Sequence, residues 1–267
     1  MKAGILNITG YGGVELARIL NRHTEFEITS VTGRSAAGEN LSDIFPHLSA
    51  LNLTIKDQLD DGVDIVFSAL PHAASAQKLK AHIDNGQKVI DFSADFRLDD
   101  PKEYESWYGT AHPLPNYLNT ASYGLPELNR KAIKASSIVA NPGCYPTASI
   151  LALAPAMANS FITEDVIIDA KSGVSGAGRG LSLNTHFSEI NESIKAYSVS
   201  GHRHMPEVIQ EINKLNNDLK IKLTFMTHLI PITRGILVSV YAGINPSKLI
   251  NNGSPSRTRT SNPMINS

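Results

Sequence analysis

The chain holds a single cysteine, Cys144, in 267 residues. That excludes an intrachain disulfide framework and fits a reducing compartment. Charge is also scarce: Asp, Glu, Lys and Arg make up 18% of the chain and the formal net charge is −1. There is no basic field for nucleic acid and no polybasic stripe for a membrane surface, so the expected partner is a small molecule. No stretch approaches the roughly 20 apolar residues of a membrane helix. The opening run Met1-Lys2-Ala3-Gly4-Ile5-Leu6-Asn7 breaks too early for a signal-peptide core. A cytoplasmic location is therefore the expectation. What the chain does have is 42% hydrophobic residues, enough for one large domain or two ordinary ones.

Residues 3–9 form a short apolar segment, Gly10-Tyr11-Gly12-Gly13 a glycine turn, and residues 14–20 show helical spacing. Residues 26–32, 63–70, 88–92 and 136–140 read as strands, and 73–83 as a helix. This alternation predicts an α/β fold, with a Rossmann-type, doubly wound parallel sheet over residues 1–143. Over residues 144–250, helices at 147–157 and 207–216 and strands at 166–171, 222–227 and 236–242 predict an α+β substrate domain with a mixed or antiparallel sheet. Residues 251–267 are rich in Asn, Ser, Thr, Arg and Pro and follow neither hydrophobic period, so disorder is expected there. A second domain that ends soon after a strand reads as incomplete.

The turn from Asn7 to Gly13 stands where a dinucleotide fold carries its glycine fingerprint, with Asn7 in the first glycine position. Gly10, Tyr11, Gly12 and Gly13 would bring backbone and a helix N-terminus to a pyrophosphate. Asparagine is the non-glycine residue best suited to left-handed backbone, so Asn7 is compatible with this reading; a plain βα turn is the alternative. The second strand is followed by Gly33-Arg34-Ser35, with no acidic residue to bind a ribose 2′-hydroxyl. Arg34 and Ser35 suit a 2′-phosphate, so the expected cofactor is NADP rather than NAD; an ordinary solvated Arg is the other reading.

Cys144 lies in Asn141-Pro142-Gly143-Cys144-Tyr145-Pro146-Thr147, between a strand-like and a helix-like apolar run. A cysteine at a helix N-terminus is expected to have a lowered pKa and to serve as a thiolate nucleophile. An inert structural cysteine is the competing reading. Ser172, Gly173 and Gly176 belong to a glycine-rich loop able to turn backbone N–H groups toward phosphate or the nicotinamide end of a cofactor. Arg97, Arg179 and Arg234 are candidate anchors for a substrate carboxylate or phosphate. In Gly201-His202-Arg203-His204, alternating spacing in an extended segment would put both histidines on one side. A metal site is disfavoured, since no third ligand of suitable spacing accompanies the pair.

Taken with Ala69-Leu70-Pro71-His72, Asp91-Phe92-Ser93-Ala94-Asp95-Phe96-Arg97 and Tyr123-Gly124-Leu125-Pro126-Glu127-Leu128, these blocks resemble the N-acetyl-gamma-glutamyl-phosphate reductases of arginine biosynthesis, in that family's order. The resemblance covers about residues 2–250 and implies a semialdehyde-dehydrogenase-like fold. It also implies reduction of N-acetyl-L-glutamyl 5-phosphate by NADPH through a thioester on Cys144, and a homo-oligomer. His202 is the favoured acid/base, with His204 as fallback or substrate contact. Two alternatives stay open: an inactive fragment that binds NADP, and the same chemistry on a carrier-linked aminoadipyl phosphate. The resemblance further implies that strands and a closing helix of the substrate domain are missing here, with a reading frame altered near Asn251.

Overall fold

The computed structural model describes residues 1–249; the disorder expected for 251–267 lies outside the described residues. One sheet holds β1 (Lys2–Leu6), β2 (Glu27–Thr32), β3 (Ile55–Lys56), β4 (Ile65–Ser68), β5 (Lys88–Asp91), β6 (Ala121–Tyr123) and β7 (Ile138–Ala140). All its pairs are parallel, in the order β3-β2-β1-β4-β5-β7-β6. Helices α1 (Tyr11–Leu20), α2 (Leu41–Ile44), α3 (Ser75–Asp84), α4 (Pro101–Tyr108) and α5 (Pro126–Ala135) run between the strands. Ile65 to Ser68 are all buried, as expected for a central parallel strand covered on both faces.

The second sheet holds β8 (Ile162–Gly173), β9 (Lys195–Tyr197), β10 (Lys222–Ile230) and β11 (Ile236–Ile244), in the order β11-β8-β10-β9. It is mixed: β8 pairs parallel with β10, and the outer strands pair antiparallel. Helix α6 (Cys144–Ala158) buries Ile150, Leu153 and Met157 in a core shared with Val208 and Ile212 of α8 (Met205–Lys214), and with Ile168 and Phe225 of the sheet. Two short helices, α7 (Phe187–Ile190) and α9 (Pro246–Leu249), complete the described residues.

Several boundaries depart from the sequence expectations. The strands β3, β6 and β9 span only two or three residues each, too short to carry a period. Helix α5 buries no residue, although Leu128, Ala132 and Ala135 recur along it at helical spacing. Helix α4 did carry signals: Asp100 accepts a hydrogen bond from Lys102 N at 2.8 Å, Pro101 starts the helix, and Gly109 closes it at φ 68°.

The chain leaves β1 for β2 on one side and reaches β4 on the other, so the C-terminal ends of β1 and β4 border the crevice where such sheets bind ligands. Asn7 leaves β1 at φ 65°, and its Nδ2 donates to Ala69 O at 2.8 Å, joining the two strand ends. Gly13 packs so tightly on the turn that a Cβ there would lie 2.3 Å from Asn7 O and 2.8 Å from Ile8 Cα. Both are backbone atoms with little freedom to yield. Gly13→Ala is therefore expected to destabilise the fold by about 1–3 kcal/mol. At Gly12 a Cβ would meet only Phe92 Cδ2 at 3.7 Å and Ala69 Cβ at 3.9 Å, so Gly12→Ala should be near neutral. Urea denaturation of both variants checks the contrast, and equal midpoints would contradict it.

Candidate active site around Cys144

After β7, Asn141 N donates to Asp91 O at 2.8 Å, tying the Asn-Pro-Gly turn to β5. Gly143 is the N-cap of α6, and Cys144 is its first residue. The thiol is accessible and faces a cavity of about 430 Å³ between the two sheets. The expected lowering of its pKa is not what this setting gives. Burial by the cavity walls pushes the Cys144 thiol up, outweighing the Tyr145 backbone N–H and the Arg97 charge that pull it down. Cys144 is thus an accessible thiol that needs a base.

Residues 202–204 form a turn into α8 rather than an extended segment, because His202 Nδ1 accepts the His204 N–H at 3.0 Å. Both rings still face the cavity, their centroids 4.8 Å apart and 5.4 and 6.0 Å from the Tyr145 ring. With Nδ1 accepting, the neutral His202 ring carries its proton on Nε2. Burial, with help from Arg203, pulls His202 down to about 4. His204 is also held well below the ordinary histidine value, first by burial and then by Arg97 and its histidine neighbours. Its Nε2 rests against the residue before the nucleophile: a Cβ at Gly143 would lie 2.6 Å away.

One buried carboxylate ties the two turns together. Glu207 Oε1 accepts hydrogen bonds from Gly143 N at 2.8 Å and from the Tyr123 hydroxyl at 2.7 Å. Its Oε2 accepts from Arg97 Nη1 at 3.3 Å. The Arg97 Nε and Nη2 donate to Asn141 O and Phe92 O at 2.8 and 2.6 Å. With side-chain exposures of only 4% and 1%, Arg97 and Glu207 form an internal pair. Arg97 is therefore a strut beneath the nucleophile, which corrects its expected role as a free substrate anchor.

The other two arginines lie on the far side of the loop after β8, lining a cavity of about 820 Å³ beside the glycine turn. Arg179 Nη1 donates to Thr9 O at 2.9 Å, and Arg234 pairs with Glu15 of α1 at 2.7 Å. Both bind the loops of the second sheet to the glycine turn instead of reaching Cys144. Ser172 and Gly176 line the Cys144 cavity, while the N–H groups of Gly173, Val174 and Ser175 are taken by carbonyls of Gly235, Ile232 and Thr233. Gly173 serves close packing, its Cβ position lying 2.9 Å from Ile232 O. The loop is thus a wall between two cavities, which corrects its expected role as an open N–H cradle.

The residues at the glycine turn fit a dinucleotide. Gly10 is the N-cap of α1, and the first-turn N–H groups at Tyr11, Gly12 and Gly13 have no carbonyl of their own helix to bond. Arg34 and Ser35 are exposed at the end of β2, beside Gly33, which packs on Thr9. Sequence reasoning gave no role to His72, Lys195 and Arg203, which line the Cys144 cavity, or to Glu207. His72 and Arg203 stood inside quoted blocks, but a buried carboxylate on an amphipathic helix carries no local signal.

Glu207→Ala would strand Arg97, the Tyr123 hydroxyl and the Gly143 N–H; unfolding should cost about 3–5 kcal/mol less, whereas wild-type stability in denaturant would contradict the clamp. The depressed histidines add a pH dependence. A folded-state value near 4, below the ordinary 6.5, means the unfolded chain binds more protons between those limits. His72 and His202 therefore lower stability as pH falls from about 6.5 to about 4, and have no effect above that window. Asp91, which burial raises to about 6, works in the opposite direction as it protonates. His202→Gln should thus weaken acid destabilisation in denaturation curves across this range, and an unchanged slope would contradict the assignment.

Comparison with known proteins agrees with this geometry. The family model for the semialdehyde dehydrogenase NAD binding domain matches residues 2–136, and that for the semialdehyde dehydrogenase dimerisation domain matches 144–252. The first ties the parallel sheet to a nicotinamide cofactor. An N-acetyl-gamma-glutamyl-phosphate reductase of Dehalococcoides mccartyi is 52% identical over 241 residues, covering 90% of this chain and 71% of that relative. That of Pelotomaculum thermopropionicum is 48% identical over 248 residues, covering 91% and 71%. Aspartate semialdehyde dehydrogenase II from Vibrio cholerae, complexed with ASA, superposes with a TM-score of 0.64 at 16% identity, covering 91% of this chain and 74% of that one. The Candida albicans aspartate semialdehyde dehydrogenase with NADP gives 0.61 at 17% identity, covering 90% and 70%. With the parallel sheet, the cysteine at the start of α6 and identity of this extent, the chain belongs to the N-acetyl-gamma-glutamyl-phosphate reductase family.

Proposed function

We propose that the chain reduces N-acetyl-L-glutamyl 5-phosphate with NADPH to N-acetyl-L-glutamate 5-semialdehyde and phosphate, in arginine biosynthesis. The observation that carries this reading is the accessible Cys144 thiol at the start of α6, in one cavity with two neutral imidazoles. An acyl phosphate is activated for attack by a thiolate, and phosphate is its leaving group.

The raised thiol requires a proton acceptor, and His204, with Nε2 against Gly143, takes that part. Its proton would return to the sulfur when the aldehyde leaves. His202, with Nδ1 occupied by a backbone N–H, donates from Nε2 to the oxygen on the attacked carbon. This division gives His204 the proton transfer for which His202 was favoured from sequence. NADPH, when bound, supplies hydride to that carbon. Gly10, Tyr11, Gly12 and Gly13 would hold its pyrophosphate, and Arg34 and Ser35 its 2′-phosphate. Ser172 and Gly176 would border the reacting carbon. A dimer is part of this reading: Ile167, Leu237 and Tyr241, exposed by 47%, 52% and 59% on the outer face of the second sheet, offer it an apolar surface.

The test follows NADP reduction by the purified chain with N-acetylglutamate semialdehyde and inorganic phosphate. Turnover that disappears in Cys144→Ala is expected, and a soluble wild type without turnover would contradict the proposal.

A further inference from the structure

His72 lines the Cys144 cavity although it comes from the connection between β4 and α3. Its Nδ1 accepts the Ala94 N–H at 2.9 Å, and its ring packs against Tyr108 with centroids 5.4 Å apart. The next residue, Ala73, stands at φ 64°, a left-handed conformation that costs a non-glycine residue roughly 1–3 kcal/mol. Asp95 holds it there: Oδ1 accepts the Ala73 N–H and the Tyr104 hydroxyl, each at 2.8 Å, and Oδ2 accepts the Ala76 N–H at 2.9 Å. A strained turn, locked by a buried carboxylate, thus fixes one imidazole. With Nδ1 taken, its free hydrogen is on Nε2, and no bond is made by Nε2 among the described residues.

Arg203 approaches the same aromatic ring, its guanidinium carbon 5.6 Å from the Tyr108 centroid. It too lines the Cys144 cavity, and its side chain makes no salt bridge among the described residues. The two carboxylates nearby are already committed, Asp95 to the turn at Ala73 and Glu207 to Arg97 and Gly143. A cationic fork and a fixed neutral N–H donor therefore meet beside the nucleophile with no anion to pair them.

We propose that His72 and Arg203, braced by Tyr108, seat the phosphoryl group of the acyl phosphate. This rests on the proposed reaction. The phosphoryl group is bonded through oxygen to the carbon that Cys144 attacks, so its seat must adjoin the thiol. A guanidinium matches phosphate oxygens in pairs, and a neutral imidazole N–H adds a donor without a second charge to desolvate. Lys195 and Tyr197, contributed by β9, line the same cavity and remain for the rest of the substrate.

In the reverse reaction inorganic phosphate is a separate substrate, so its KM reads this seat alone. His72→Ala and Arg203→Met should each raise the KM for phosphate roughly tenfold or more, with the KM for semialdehyde little changed. Lys195→Met should do the opposite. A second readout needs no turnover: phosphate should slow alkylation of Cys144 by iodoacetamide, and both substitutions should raise the half-protecting concentration by a similar factor. Unchanged phosphate KM and protection in the two variants would overturn the assignment, as would equal increases for both substrates. A wild type without turnover would instead overturn the proposed reaction, and the protection assay would still decide the phosphate seat.

Discussion

The Cys144 site depends on the buried pair of Arg97 and Glu207. Each belongs to a different sheet's set of helices and loops, and each bonds the backbone or side chain of the other set. Desolvating two charges is expensive, and an apolar pair of the same shape could be at least as stable. What an apolar pair could not do is accept the Gly143 N–H and the Tyr123 hydroxyl while donating to Asn141 O and Phe92 O. The pair sets the position of the turn before Cys144 relative to the turn that carries His202 and His204. A site formed by two loops from separate cores needs such a tie if its reacting atoms are to stay in register.

The same burial explains the protonation pattern. Cys144 is raised, and His72, His202 and His204 are lowered, with desolvation the largest cause for each. The positive charge that remains comes from Arg97 inside and from Arg203 and Lys195 at the cavity. All four groups are neutral in this arrangement, while the fixed cations are left to meet an anion. An anionic substrate would shift the histidines toward imidazolium, since added negative charge favours the charged form of a histidine, and an imidazolium formed beside Cys144 would offset the repulsion between that anion and a thiolate. Proton transfer would then be coupled to occupancy of the site.

Much of this was legible in the sequence. Alternating apolar runs gave the parallel sheet and the glycine turn, and Asn7 does adopt the left-handed angle that its chemistry allowed. The motif around Cys144 correctly put it at a helix start. The failures have physical reasons. Helix position suggested a lowered thiol pKa, but the opposing desolvation comes from walls built by residues far away in sequence. Arg97, Arg179 and Arg234 looked alike as free guanidiniums, and only tertiary partners distinguish a buried strut from two ties to the glycine turn. Glu207 could not be found, because its importance lies in accepting an N–H from residue 143 across the interface between the two sheets.

Amide hydrogen exchange at Gly143 tests the central claim most directly. If Glu207 holds that N–H inside a buried network, its exchange should be as slow as that of the β7 amides and should accelerate strongly in Glu207→Ala. Rapid exchange at Gly143 in the wild-type chain, at the rate of an open turn, would contradict the account.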